Sequence, residues 1–191
     1  MSNSPTAIYT HKVPTPPRSA MNSGLSAAKV STLEKCFGDF PDLPENCGKS
    51  RNAKVNRLIE TRDVGPFRVT LIKQALDALE RALTKLKAAH PALHDILGTE
   101  GGLCYRRVRG SHAPSNHAAG TAIDFSVGGV TPDMDYSPET PDLIPNGFVI
   151  LYGFLHAEKF YWAAGYAGRK DAMHFECSDE LLLDWHHKGI I

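Results

Sequence analysis

An α+β domain with a small, mainly antiparallel sheet and flanking helices is the fold class the sequence predicts, and three observations predict it. One segment carries apolar residues at helical spacing, two short segments alternate with a period of two, and proline- and glycine-rich stretches separate them. The helix is traced by Ile72, Leu76, Leu79, Leu83 and Leu86, spaced by four and three residues, with Thr70 as its candidate cap. The pattern stops near Pro91, so its stripe is expected to pack on a sheet rather than in a coiled coil. In Thr121 to Val127, residues Thr121, Ile123, Phe125 and Val127 share one face of a strand, and Ala122, Asp124 and Ser126 share the other. Met173 to Cys177 is the expected last strand, with Met173 and Phe175 toward the core and His174 and Glu176 on the opposite face.

The remaining elements follow from local signals. Leu103 to Val108 reads as a strand, Pro91 to Gly102 as a short helix or loop, Phe148 to Lys159 as a helix, and Glu180 to His187 as a short closing helix. Gly38 to Asn52 is loop-like, with Pro41, Pro44 and Gly48. Residues 128 to 147, with four prolines and three glycines, form an expected surface excursion of the kind that borders binding sites. Residues 1 to 24 are rich in Ser, Thr, Pro and Asn and are expected to be a flexible leader, leaving residues 25 to 191 as a single domain. At 191 residues and 42% hydrophobic composition, the chain can bury one substantial core.

Charge and cysteine content narrow the function classes. Lysine plus arginine number 21 and the acids number 21, so no global field draws the chain to nucleic acid or to an anionic membrane. A local cluster remains at Tyr105-Arg106-Arg107-Val108-Arg109. No run of about 18 apolar residues offers a membrane span, and the N-terminus lacks the basic-then-apolar pattern of a secretory signal. The expectation is a soluble monomer made in the cytoplasm, which would meet an external substrate only after lysis or through dedicated export. Cys36, Cys47, Cys104 and Cys177 contain no C-x-x-C pair, which argues against a four-cysteine metal site or a thioredoxin-like motif. They are expected to be buried free thiols, with a Cys36 to Cys47 disulfide as the alternative.

The chemistry is concentrated in two segments. Catalytic zinc sites need neutral imidazoles, a carboxylate, and a further acid or base that is not a ligand. Ser115-Asn116-His117-Ala118-Ala119-Gly120-Thr121-Ala122-Ile123-Asp124 supplies a loop histidine and a strand carboxylate, with Gly120 allowing the bend between them. Asp171-Ala172-Met173-His174-Phe175-Glu176 supplies a strand histidine, with Asp171 on the preceding turn, able to reach a water at the metal without ligating the ion. His11, His90, His94, His156, His186 and His187 are read as ordinary surface or core residues, and His112 as a loop residue or a fourth ligand of a closed structural site.

Ser-x-His-x-x-Gly-x-Ala-x-Asp followed by Asp-x-x-His resembles the signature of the zinc D,D-carboxypeptidases and L-alanyl-D-glutamate endopeptidases of peptidoglycan. That group includes VanY-like enzymes and some phage endolysins, and it shares its fold with the signalling domain of hedgehog proteins. The resemblance spans roughly Val64 to Cys177. It implies a hedgehog/DD-peptidase-like fold, zinc as cofactor, His117, Asp124 and His174 as metal ligands, and Asp171 as catalytic base, where many relatives carry Glu. It also implies an arginine that binds the substrate's carboxylate or carbonyl, which Arg106 fits first and Arg109 second. Ser115 is either a loop serine or a contact to substrate or ligand. The implied activity is hydrolysis of a peptide bond in the peptidoglycan stem, with stem peptide or muropeptide as partner. The alternative is a catalytically silent, zinc-containing binding module of hedgehog-like fold.

Overall fold

The computed structural model describes residues 5–132 and 142–191. In chain order the elements are α1 (Ala7–Thr10), β1 (Lys12–Pro14), α2 (Val30–Phe37), α3 (Ala53–Leu58), β2 (Ile59–Asp63), β3 (Arg68–Ile72), α4 (Lys73–Ala89), α5 (Pro91–Asp95) and β4 (Leu97–Gly101). They continue with β5 (Ala122–Val127), β6 (Leu143–Pro145), α6 (Asn146–Ala157), β7 (Phe160–Trp162), β8 (His174–Cys177) and α7 (Asp179–His187). The architecture is α+β. Four strands in the order β4-β5-β8-β7 make an antiparallel sheet, and β2-β3 and β1-β6 form two small antiparallel pairs.

The sheet has an aromatic face and a polar face. Phe125 meets Phe175 edge-on at 5.5 Å, and Trp162 stacks on Phe175 at 5.6 Å, so β5, β8 and β7 contribute one ring each to the core. Period-two alternation then turns Asp124, His174 and Glu176 to the other face. Helix α4 buries Leu76, Leu79, Leu83 and Leu86 with Ala75, Ala78 and Ala82 in the same core, following the expected stripe. Its N-cap is Ile72, because Thr70 lies within β3 and bonds through its hydroxyl to Thr61 across the hairpin.

Several expectations are corrected. Leu97–Gly101 is a strand that pairs with β5, whereas 103 to 108 is an extended segment whose ladder pairing is limited to the isolated bridges Gly48↔Tyr105 and Arg107↔Pro114. The stretch expected to be a flexible leader carries α1, β1 and a 3₁₀ turn at Arg18–Ala20 within its described part, residues 5–24. Strand β1 pairs with β6, Met21 is buried, and the Asn22 side chain both donates to Trp162 O and accepts from Trp162 N. Composition hid this, since the docking rests on separated side chains, Arg18, Met21 and Asn22, and on backbone pairing rather than on an apolar run. Of the expected excursion over 128 to 147, residues 133–141 lie outside the described residues; 128 to 132 and 142 to 147 include β6 and the start of α6. Among the described residues, no helix is long and apolar enough to cross a membrane.

Cys47 and Cys104 form a disulfide, with Cα atoms 5.0 Å apart, while Cys36 and Cys177 are free and buried. This replaces both the all-thiol expectation and the Cys36 to Cys47 alternative. The physical reason is the Gly48↔Tyr105 bridge, which lays the loop after α2 along the segment leading to the turn at Asn116–Ala119. Burial pushes the thiols of Cys36 and Cys177 up, so neither is an activated nucleophile.

Candidate metal centre

His117 sits in a 3₁₀ turn, Asn116–Ala119, whose N-cap is Ser115, and Gly120 ends the turn in the left-handed region at φ +67°. A Cβ at Gly120 would stand 3.2 Å from the Ile72 nitrogen, which itself donates to Gly120 O. Glycine therefore gives both the backbone sign and the close approach that let the chain drop from the turn into β5. In β5 and β8 the register places Asp124 directly opposite His174. Three ligand-capable atoms converge: His117 Nε2 to His174 Nδ1 is 3.0 Å, His174 Nδ1 to Asp124 Oδ1 is 3.0 Å, and His117 Nε2 to Asp124 Oδ1 is 3.3 Å.

Those separations fit a metal ion. A tetrahedral ion with bonds of about 2.0–2.1 Å holds its ligand atoms roughly 3.3 Å apart. The outward nitrogens of both rings are engaged: His117 Nδ1 donates to Gly102 O at 2.7 Å, and His174 Nε2 to Glu176 Oε2 at 2.9 Å. The lone pairs of His117 Nε2 and His174 Nδ1 are thereby turned toward Asp124 and toward each other. Such a group calls for a cation at its centre. Among the described residues this is the one cluster of three or more side chains able to hold a metal ion. Burial alone would lower the His174 pKa, but the Asp124 and Glu176 carboxylates push it up to about 10. Asp124 is held well below the usual carboxylate range, the pull of both imidazoles outweighing its burial.

Glu176 is a residue that the sequence reading placed on the His174 face without giving it a role. It is fully buried, and its Oε2 accepts from His174 Nε2, from the Tyr166 hydroxyl at 2.6 Å and from the Asn116 side-chain amide, while Oε1 accepts from Ala28 N at 2.9 Å. Burial opposes its charge, yet these donors keep its pKa lowered. It stands behind the His174 ring rather than in the cavity, where it fixes the tautomer and aim of the imidazole. The available signal was its position two residues after His174 on the same strand face.

A cavity of about 460 Å³ opens over the cluster and is lined by His117, Asp124, His174, Asp171, Ser115, Asn116, Tyr166, Met173, Arg106, Val108, Arg109 and Arg169. Asp171 is partly buried on its wall. Its backbone is pinned on two sides, its N–H donating to Ala163 O at 3.1 Å and its carbonyl accepting from His174 N at 3.3 Å. The Ser115 hydroxyl accepts from His117 N at 3.4 Å, so it orders the ligand turn while bordering the cavity. His112 lines a different cavity and is outside the three-residue cluster, so it is not a fourth ligand.

Two histidines and one carboxylate at the floor of an open cavity, with a further carboxylate on its wall, make a donor set that could hold a metal ion. Residues 109–177 match a family model described as D-alanyl-D-alanine carboxypeptidase. The matched stretch takes in His117, Asp124, Asp171 and His174 and ends at Cys177, leaving Arg106 and the N-terminal elements outside. None of the curated proteins matches the chain.

Proposed function

We propose that this protein is a zinc metallopeptidase that hydrolyses a peptide bond in the peptidoglycan stem. The observation that carries this reading is the convergence of His117 Nε2, His174 Nδ1 and Asp124 Oδ1 in an open cavity that also contains Asp171. The family match over the same residues supports it. Zinc on this donor set supplies an open coordination position and lowers the pKa of a water there toward 7.

The chain's own groups do the rest. Glu176 holds the His174 ring and Gly102 O holds the His117 ring, so both ligands are aimed before any ion arrives. Asp171 takes the proton of the attacking water and passes it to the leaving amine. Arg106, with Arg109 beside it, binds the substrate's carboxylate or carbonyl and stabilises the developing oxyanion. No covalent intermediate on the protein is required. The Cys47 to Cys104 disulfide is consistent with work outside the cytoplasm, reached by lysis or dedicated export, because such bonds persist in oxidising compartments.

The test is digestion of purified muropeptides by zinc-loaded protein, followed by mass spectrometry. Released D-alanine marks a carboxypeptidase, and a split between L-alanine and D-glutamate marks an endopeptidase. Intact muropeptides would leave the silent zinc-containing module in its place.

A further inference from the structure

The extended segment 102–107 joins two parts of the fold, and alternate residues serve each side. Gly102 O accepts from His117 Nδ1 at 2.7 Å, Cys104 N donates to His117 O at 3.0 Å, and Arg106 O accepts from Ser115 N at 3.1 Å. On the other side, Tyr105 O accepts from Gly48 N at 3.0 Å and Arg107 N donates to Pro44 O at 2.9 Å. Even positions thus hold the turn that carries His117, and odd positions hold the loop over 38–49. Cys104 touches both, since its N–H bonds to His117 while its sulfur is joined to Cys47.

The loop has little else to keep it against this segment. None of residues 38 to 49 is buried, and none belongs to a helix or strand. Its non-covalent ties to 102–107 are those two backbone bonds, the Tyr105 hydroxyl donating to Pro41 O at 2.7 Å, the stacking of Phe40 on Tyr105 at 6.3 Å, and the Arg107 to Glu45 ion pair. Polar bonds at an exposed surface open readily. The disulfide joins residues 57 positions apart, so it removes more freedom from an opened loop than any of these contacts. Cys47 is exposed and Cys104 half-buried, within reach of a thiol, whereas Cys36 and Cys177 are fully buried and stay out of the exchange.

We propose that the Cys47 to Cys104 disulfide is a redox latch on the His117 turn. A dithiol reductant opens it: one thiolate attacks the Cys47 sulfur, Cys104 leaves and takes a proton, and the reductant's second thiol displaces Cys47, which takes another. Two electrons and two protons enter the protein, and the reductant departs as its own disulfide. The freed loop lets 102–107 drift, and with it Gly102 O, which aims the His117 ring. A disulfide oxidant reverses both steps, so His117 is loosely held in a reducing compartment and firmly held in an oxidising one. The inference rests on the reading of His117 as a metal ligand.

The experiment compares four samples: the oxidised protein, the protein reduced with dithiothreitol and then freed of it without air, the same protein reoxidised, and Cys47→Ser. In the metal-free protein, amide hydrogen exchange over 102–120 should quicken about tenfold or more on reduction, while α4 exchanges as before. Zinc affinity, measured by competition with a chelator, should fall about 10- to 100-fold, as for loss of the outer partner of a ligating histidine. Reoxidation should restore both values, and Cys47→Ser should match the reduced protein with or without reductant. Should that variant fail to fold, the reduced and reoxidised parent still decides. Equal zinc affinity in the two states, or unchanged exchange over 102–120, overturns the latch. Exchange that rises in α4 as well marks a staple of the whole fold and overturns it too. Both effects in a protein that cleaves no muropeptide in either state would uphold the latch while removing the peptidase reading.

Discussion

Asp124 and His174 face each other across neighbouring antiparallel strands, with Oδ1 and Nδ1 3.0 Å apart. Directly opposed residues in such a ladder bring their Cβ atoms within about 5 Å, so strand register alone places two of the three ligand groups. His174→Ala removes one of them and leaves β8 to pair as before. Metal analysis of this variant should show most of the bound zinc gone, and a retained stoichiometric metal would refute the ligand set.

Glu176 tests whether the groups behind the ligands matter. Glu176→Gln keeps the shape, but its amide can no longer satisfy the imidazole N–H, the Tyr166 hydroxyl and the Asn116 amide as one anionic oxygen does. Zinc affinity, measured by competition with a chelator, should fall about 10- to 100-fold. Unchanged affinity would make Glu176 a packing residue only.

How much of this was legible in the sequence depended on how local the signal was. The two motifs carried the His117, Asp124 and His174 cluster because these residues sit on a turn and two strands whose periodicity is short. The α4 stripe was legible for the same reason. Contacts between distant segments were not: Cys47 finds Cys104 across 57 residues, and Asn22 finds Trp162 across 140. The strand at Leu97–Gly101 was hidden by its glycines. Gly98 packs against Ser126 and Gly101 lies at a register shift, so this edge lacks the branched residues that announce a strand.

Arg106→Ala should retain zinc, since the side chain borders the cavity without joining the cluster. Loss of a charge-assisted hydrogen bond to substrate costs on the order of 1.5 to 3 kcal/mol, so kcat/KM should drop about tenfold or more. Kinetics equal to the parent's would transfer the role to Arg109.

Acid should weaken the fold through the segment ahead of α2. Asp179 Oδ1 accepts from Lys29 N at 3.0 Å and Glu180 Oε2 from Ser26 N at 2.9 Å; burial opposes both charges, yet bonds from the Thr32 hydroxyl and Lys29 N to Asp179, and from Ser26 N to Glu180, hold both pKa values below their ordinary 3.8 and 4.5. A carboxylate depressed in the folded state contributes stability that is complete above its unfolded pKa and lost as pH falls through the lower folded value. The melting temperature of the metal-free protein should therefore decline below about pH 4.5, and Asp179→Asn should decline less steeply because one of the two groups no longer titrates. Parallel curves would rule out that contribution.

Asp171 is the sharpest test of the proposed chemistry. It follows Lys170, whose ammonium pairs with the buried Asp142 at 2.9 Å, and its own backbone bonds to Ala163 and His174, so the turn that presents it is held from three sides. Its carboxylate borders the cavity but is not part of the three-residue cluster. Asp171→Asn should consequently keep the fold and the zinc. The amide has nearly the same shape and cannot accept a proton, so kcat should fall by roughly 10²- to 10⁴-fold, the share that general acid-base catalysis supplies. Loss of metal from this variant would mean that Asp171 is a ligand. Near-normal turnover would mean that the attacking water loses its proton elsewhere, and Glu176, sealed behind His174 with four donors already on its oxygens, could not be the group that takes it.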